Sequence, residues 1–168
     1  MEPTPPAPPA TPPKISAAQG RRMRSAARFY AVQALFQMEA ADVGLETVRH
    51  EFETHRMGAE IDGVEYAEAD LAHFRKLLNA TVTEQARIDQ LTHRALVARW
   101  PIDRIDPTLR ALFRAAGAEL IATDTPPKVT ITEFVDVAKA FYPEGKESKF
   151  VNAVLDHMAR EARPEAFA

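Results

Sequence analysis

Four arginines, Arg21, Arg22, Arg24 and Arg28, lie close together in the chain and run directly into Phe29 and Tyr30. Guanidinium groups neutralise phosphates, and aromatic faces stack on unpaired bases, so this pairing of types is suited to single-stranded nucleic acid. No acidic residue occurs between Glu2 and Glu39, where Lys14 adds a fifth positive charge. From residue 39 onward the chain carries 16 Lys and Arg against 23 Asp and Glu. A basic N-terminal arm on an acidic body is therefore hidden beneath a net charge of only −3. Lys149-Phe150 repeats the cation–aromatic pairing near the other end of the chain. Each feature has a plainer alternative: the arginines as a solvated charge run, and Phe150 as a core residue.

Catalytic arrangements are not legible. The three serines, Ser16, Ser25 and Ser148, stand outside any nucleophile-elbow pattern. Gly145-Lys146-Glu147-Ser148 fails as a phosphate loop, because Glu147 occupies the Ser/Thr position and Ala140 that of the first glycine. His50-Glu51-Phe52-Glu53-Thr54-His55 superficially resembles a zinc-protease motif. Its five-residue spacing, however, turns the second imidazole about 140° from the first. Without cysteine, thiolate catalysis and Cys-ligated metals are excluded, and the composition fits a reducing compartment. The acids are spread over helix surfaces with no spacing that singles out a general acid and base. The expectation is a non-enzyme without metal or cofactor. No 18-residue apolar run or signal-peptide pattern occurs, so a cytoplasmic protein free of the membrane is expected.

The elements that must hold these residues read as helices throughout. Residues 1–13 hold seven of the thirteen prolines, which favours extended polyproline II. Residues 1–20 are accordingly expected as a disordered tail and 21–168 as one helical domain. Its P-x-x-P spacings could also serve a proline-reading partner. Ser16 and Gln19 form a capping-box pattern that Gly20 interrupts, so the first firm helix is predicted from Ser25 to about Ala41. The arginines then fall at or before its first turn, where cations cost about 0.3–1 kcal/mol each against the helix dipole. A second helix is expected from Leu45 to about Met57, followed by a loop over Gly58 to Gly63. One long helix is expected over 67–91 on the stripe Leu71, Phe74, Leu77, Leu78, Val82, Ile88 and Leu91. Leu96, Val97 and Trp100 continue the pattern to Pro101. Asp106-Pro107 caps a helix carrying Leu109, Leu112, Phe113, Ala116 and Leu120. Thr130 and Glu133 are expected to open the next helix as a capping box. Phe150, Val151, Val154, Leu155 and Met158 then mark the buried face of the last. The fold class is all-α, with six to seven helices.

Three stretches, in this order, resemble the NusB family of transcription antitermination factors. They are Ala27-Arg28-Phe29-Tyr30-Ala31-Val32-Gln33-Ala34-Leu35-Phe36; then Asp103-Arg104-Ile105-Asp106 to Leu109-Arg110 with Glu119-Leu120; then Pro127-Lys128-Val129 through Ile131-Thr132-Glu133 and Ala138-Lys139 to Lys149-Phe150-Val151-Asn152-Ala153-Val154-Leu155-Asp156. The resemblance covers about residues 21–160. Thr132 departs from a usual asparagine, Ala153 from a glycine and Ala118 from an aromatic. An extra residue falls between Pro143 and Glu147, and the proline-rich tail has no counterpart.

The resemblance implies two small helical subdomains and binding of boxA-type RNA from ribosomal RNA leaders. It implies action together with NusE, a small-subunit ribosomal protein, in an RNA polymerase antitermination complex. By similarity, RNA contacts would come from Arg21, Arg22, Arg24, Arg28, Lys128, Lys149 and Phe150, and partner contacts from Phe36, Glu144 and Glu147. Two other readings stay open: a protein-binding helical adaptor, and a stand-alone regulatory domain like that attached to ribosomal RNA methyltransferases. The chain leaves no room for the methyltransferase itself. A homodimer is an assembly left open.

Overall fold

Helix α5 (Pro107–Ala122) is apolar on nearly all sides, and every residue from Ala115 to Leu120 is buried. A helix so largely apolar has to lie inside a protein, and α5 does, with Arg110 and Arg114 meeting acidic partners along one edge. It is packed by α1 (Ala17–Ala41), α3 (Leu71–Thr83), α4 (Gln85–Leu96), α6 (Pro127–Phe141) and α7 (Lys146–Ala162), while α2 (Leu45–His55) closes over α1 and α3. A continuous apolar core runs through all seven helices around α5. A 3-10 turn over Pro164–Phe167 ends the chain against α7. These features come from a computed structural model that describes residues 2–7, 15–58, 60–61, 64–65, 68–96 and 104–168. Within them the fold is all-α, with seven α-helices, as the sequence predicts.

Several boundaries differ from the sequence reading. Helix α1 starts at Ala17 and continues straight through Gly20. The Ser16 hydroxyl accepts the Gln19 N–H at 3.1 Å, and the packing available to a 25-residue helix outweighs the roughly 1 kcal/mol cost of one glycine. Ala17 to Gly20, assigned to the tail by the sequence reading, therefore belong to α1. Residues 2–7 are exposed and irregular, whereas Pro8 to Lys14 lie outside the described residues. The single helix expected over 67–91 is two. Glu84 leaves helical geometry (φ −113°, ψ 20°) between α3 and α4. An unbroken rod of 25 residues would extend about 37 Å and outrun the core. The break instead packs α3 on α1 and α5, and α4 on α7 and α5.

Smaller departures follow the same logic. Antiparallel two-residue strands, β1 (Glu60–Ile61) and β2 (Val64–Glu65), stand where a loop was expected. Val97, Trp100 and Pro101 lie outside the described residues. The expected opening of α6 at Thr130 is corrected to Pro127, because proline at the first position starts the helix without a side-chain cap. Thr130 is instead turned into the core.

The packing of α4 and α7 on α5 depends on a glycine. A Cβ placed on Gly117 of α5 would lie 2.5 Å from Ile88 Cγ2 of α4 and 3.4 Å from Met158 Cε of α7. Alanine raises helix propensity by about 1 kcal/mol, but overpacking a core costs about 1–3 kcal/mol. Gly117→Ala is therefore expected to lower stability in urea denaturation by about 1–2 kcal/mol, despite being a helix-favouring change.

Candidate nucleic-acid interface

Arg21, Arg22 and Arg24 belong to the second and third turns of α1, about two turns further in than the sequence suggests. The dipole penalty fades beyond the first turn, so their position is less unfavourable than it looks. Arg21 and Arg22 are exposed and Arg24 is half-buried. Beside them, the start of α6 presents Lys128 and Val129, and a cavity of about 360 Å³ lies between, lined by Arg21, Arg24, Arg28, Thr125, Pro126, Val129 and Glu133.

Arg28 departs from the expectation. It is 2% exposed, and its Nε donates to both carboxylate oxygens of Glu119, at 3.1 and 2.8 Å. His73 Nε2 lies 2.6 Å from Glu119 Oε2, and the Thr130 hydroxyl donates to Oε1 at 2.7 Å. Glu133 extends the network, lying 3.5 Å from Arg28 Nη1 and accepting from the Ser25 hydroxyl at 2.8 Å. The charge of Arg28 is satisfied inside the protein, so its role is to fix α1 against α5 and α6 rather than to meet a phosphate. Burial alone would push the Glu119 carboxyl up, but the His73 hydrogen bond, the Arg28 charge and hydrogen bond, and Thr130 together hold it below the ordinary carboxylate value.

The aromatic residues beside the arginines are likewise turned inward. Tyr30 is buried, and Phe29 stacks on Phe141 at 5.1 Å between centroids, so both serve packing. At the other end of the α6–α7 hairpin, Lys149 is exposed in the first turns of α7. Phe150 is half-buried, edge-on to Phe113 at 6.1 Å. It lines a cavity of about 400 Å³ with Arg104, Ile105, Asp106, Leu109, Lys146 and Glu147. Because α6 and α7 run antiparallel, Lys128 and Lys149 are separated by roughly 15 Å along the hairpin. The seven residues proposed for RNA thus divide into an arginine patch with Lys128, a Lys149–Phe150 patch, and the internal Arg28.

Residues suited to a protein partner lie on a neighbouring face. Phe36 is 39% exposed and borders a groove of about 370 Å³ with Gln33, Arg56, Thr108 and Phe141. Glu144 is exposed at the turn before α7 and 3.9 Å from Lys146, whereas Glu147 faces the Phe150 cavity. The start of α5 lies between the two depressions, with Thr108 in one and Asp106 in the other.

Ion pairing separates structural from available cations. Most basic side chains among the described residues have an acidic partner, including Arg110 with Glu39, Arg114 with Asp89, and Arg75 with Glu53. Arg21, Arg22, Arg24, Lys76, Arg87, Arg104, Lys128 and Lys149 have none. Arg104 was legible only as part of a family stretch, and Lys146 only inside a failed phosphate-loop match. The signal for the Glu119 network was a lone acid on the apolar stretch of α5. Among the described residues, no group of three or more His, Asp or Glu could hold a metal, and no helix is long and apolar enough to cross a membrane.

Residues 25–160 match the model of the NusB family. This chain is a NusB family member. The transcription antitermination protein NusB of Brucella abortus (strain S19) is 47% identical over 144 residues, covering 85% of this chain and 84% of that protein. A T. maritima NusB structure superposes with a TM-score of 0.67 and 31% identity, covering 86% of this chain and 96% of that one. A crystal structure of antitermination factors NusB and NusE in complex with double-stranded RNA has a TM-score of 0.64, covering 83% of this chain and 98% of that one. At 24% identity, that likeness speaks for the fold. Membership in the NusB family places the chain among transcription antitermination proteins rather than enzymes.

Proposed function

We propose that this protein binds boxA-type single-stranded RNA of ribosomal RNA leaders together with the ribosomal protein NusE, and so helps RNA polymerase in the cytoplasm resist termination. The observation that carries the reading is the arginine patch of α1. Three guanidinium groups lie on one helix without an acidic partner among the described residues, whose other arginines are mostly paired. Phosphates would complete them, with Lys128 extending the patch. Phe150 offers part of a ring to an unstacked base, with Lys149 beside it for the adjoining phosphate. The Phe36 groove, separated from the Glu147 depression by the start of α5, is the proposed seat of the protein partner.

The test is a titration of boxA-type and scrambled RNA with the full chain, with and without NusE. Tighter binding of the boxA-type RNA, strengthened by NusE, is expected. With four to five phosphate contacts, the logarithm of affinity should fall against the logarithm of salt with a slope near about −3. Equal weak binding of both RNAs with NusE present would sink the proposal and favour a protein-binding adaptor, whose arginines merely solvate.

A further inference from the structure

Five large apolar side chains are well exposed among the described residues: Ile15, Phe36, Leu71, Val82 and Val129. Three of them flank the arginine patch. Val129 lies on its α6 side. On the other side, Ile15 and Leu71, 54% and 42% exposed, border a groove of about 740 Å³ between the starts of α1 and α3. Arg21 and Arg24 line both depressions, so they form a cationic ridge with a groove on each flank: a mixed one toward α6 that includes Glu133, and one walled by Ile15 and Leu71 toward α3. The second groove is part of the rigid fold: the Asp70 N–H donates to the Met23 carbonyl at 3.0 Å, tying the start of α3 to α1. Among the described residues Asp70 is the one acid in its lining, and its Oδ1 accepts the His73 N–H at 3.0 Å as the cap of α3.

We infer that the groove between the starts of α1 and α3 is a second base-binding groove, in which a nucleotide next to those held on the α6 side packs its base on Leu71 and Ile15. Arg21 and Arg24 hold the phosphate between the two nucleotides. The inference rests on the RNA-binding reading above and adds a direction in which the strand continues. Charge favours RNA over a protein segment here. The two arginines outnumber the one acid, that acid is engaged in capping, and the groove is continuous with the proposed phosphate ridge. Aliphatic walls accept any base face, so this groove would add affinity with little sequence discrimination.

The experiment compares a short boxA-type RNA with versions extended by about four nucleotides on the 5′ or the 3′ side, using wild type, Leu71→Ala and Ile15→Ala. Both side chains are exposed, and thermal unfolding of the variants checks that the fold is kept. One extension is expected to tighten wild-type binding about three- to tenfold, and each variant to lose most of that gain while binding the short RNA as wild type does. A 4-thiouracil in the extension should cross-link within residues 15–24 or 69–71. The inference is overturned if neither extension tightens binding, if the variants keep the gain, or if the cross-links fall elsewhere. It is equally overturned if Leu71→Ala matters only when NusE is present, which would make the groove a protein contact. If the short RNA itself is not bound above a scrambled control, the underlying RNA reading fails as well. Wild type alone reveals that outcome.

Discussion

Glu119→Ala is expected to lower the unfolding free energy by about 3–5 kcal/mol. Glu119 is fully buried and is the shared acceptor for Arg28, His73 and Thr130, which come from α1, α3 and α6. Removing it leaves the buried Arg28 guanidinium with only the longer 3.5 Å pairing to Glu133, and an under-compensated buried charge is among the most costly defects a core can carry. Urea denaturation of Glu119→Ala, Arg28→Ala and the double variant checks the account. The double variant should cost clearly less than the sum of the singles, because each single leaves the other charge uncompensated. Additive losses would mean that the pair is not energetically coupled.

The same group sets a pH dependence. The Glu119 carboxyl is held below its ordinary value of 4.5, so the native state keeps this carboxylate ionised to lower pH than the unfolded chain does. Its stabilisation is therefore fully present above about pH 4.5 and is lost as pH falls through the lower, folded value. Glu39 and Glu53 are also held low, chiefly by hydrogen bonds from Arg110 and Arg75, and they contribute in the same direction nearer the surface. The part due to Glu119 is the acid-side slope that disappears in Glu119→Gln.

The triple variant Arg21→Ala, Arg22→Ala, Arg24→Ala is expected to flatten the salt dependence of RNA binding, from a slope near about −3 to near about −1. Each phosphate contact on a single strand contributes about 0.7 to that slope, so three contacts contribute about two. Electrostatic contributions vanish near about 1 M salt, so at about 0.1 M the variant should bind on the order of a hundredfold more weakly. Its stability should change little, because none of the three side chains has an acidic partner among the described residues. An unchanged slope in fluorescence titrations across salt would mean that the ridge does not touch RNA. Arg28→Ala gives the opposite pattern. It should cost stability first, with any RNA effect arising from a loosened α1.

Sequence by itself determined the helical class, because the apolar residues repeat at helical spacing in segment after segment and no run alternates as a half-buried strand would. It determined the family through ordered stretches such as Lys149 to Asp156, and it marked the basic arm through the absence of acids between Glu2 and Glu39. Local rules also served at Asp106-Pro107, where the Asp106 carboxylate accepts the Thr108 N–H at 2.7 Å. They were misleading at Gly20 and at residue 84, where tertiary packing outweighs or redirects propensity.

Only the tertiary structure decided which arginines are free. Arg28 and Arg24 are one turn apart on α1 and alike in type. Yet the residues that bury one and leave the other at a groove come from α3, α5 and α6, with Glu119 lying 91 positions from Arg28. No local pattern encodes so distant a partner, and a buried charge looks the same in sequence as an exposed one. The same holds for the groove beside Leu71. Its walls are the starts of α1 and α3, and their juxtaposition depends on how both helices settle against α5.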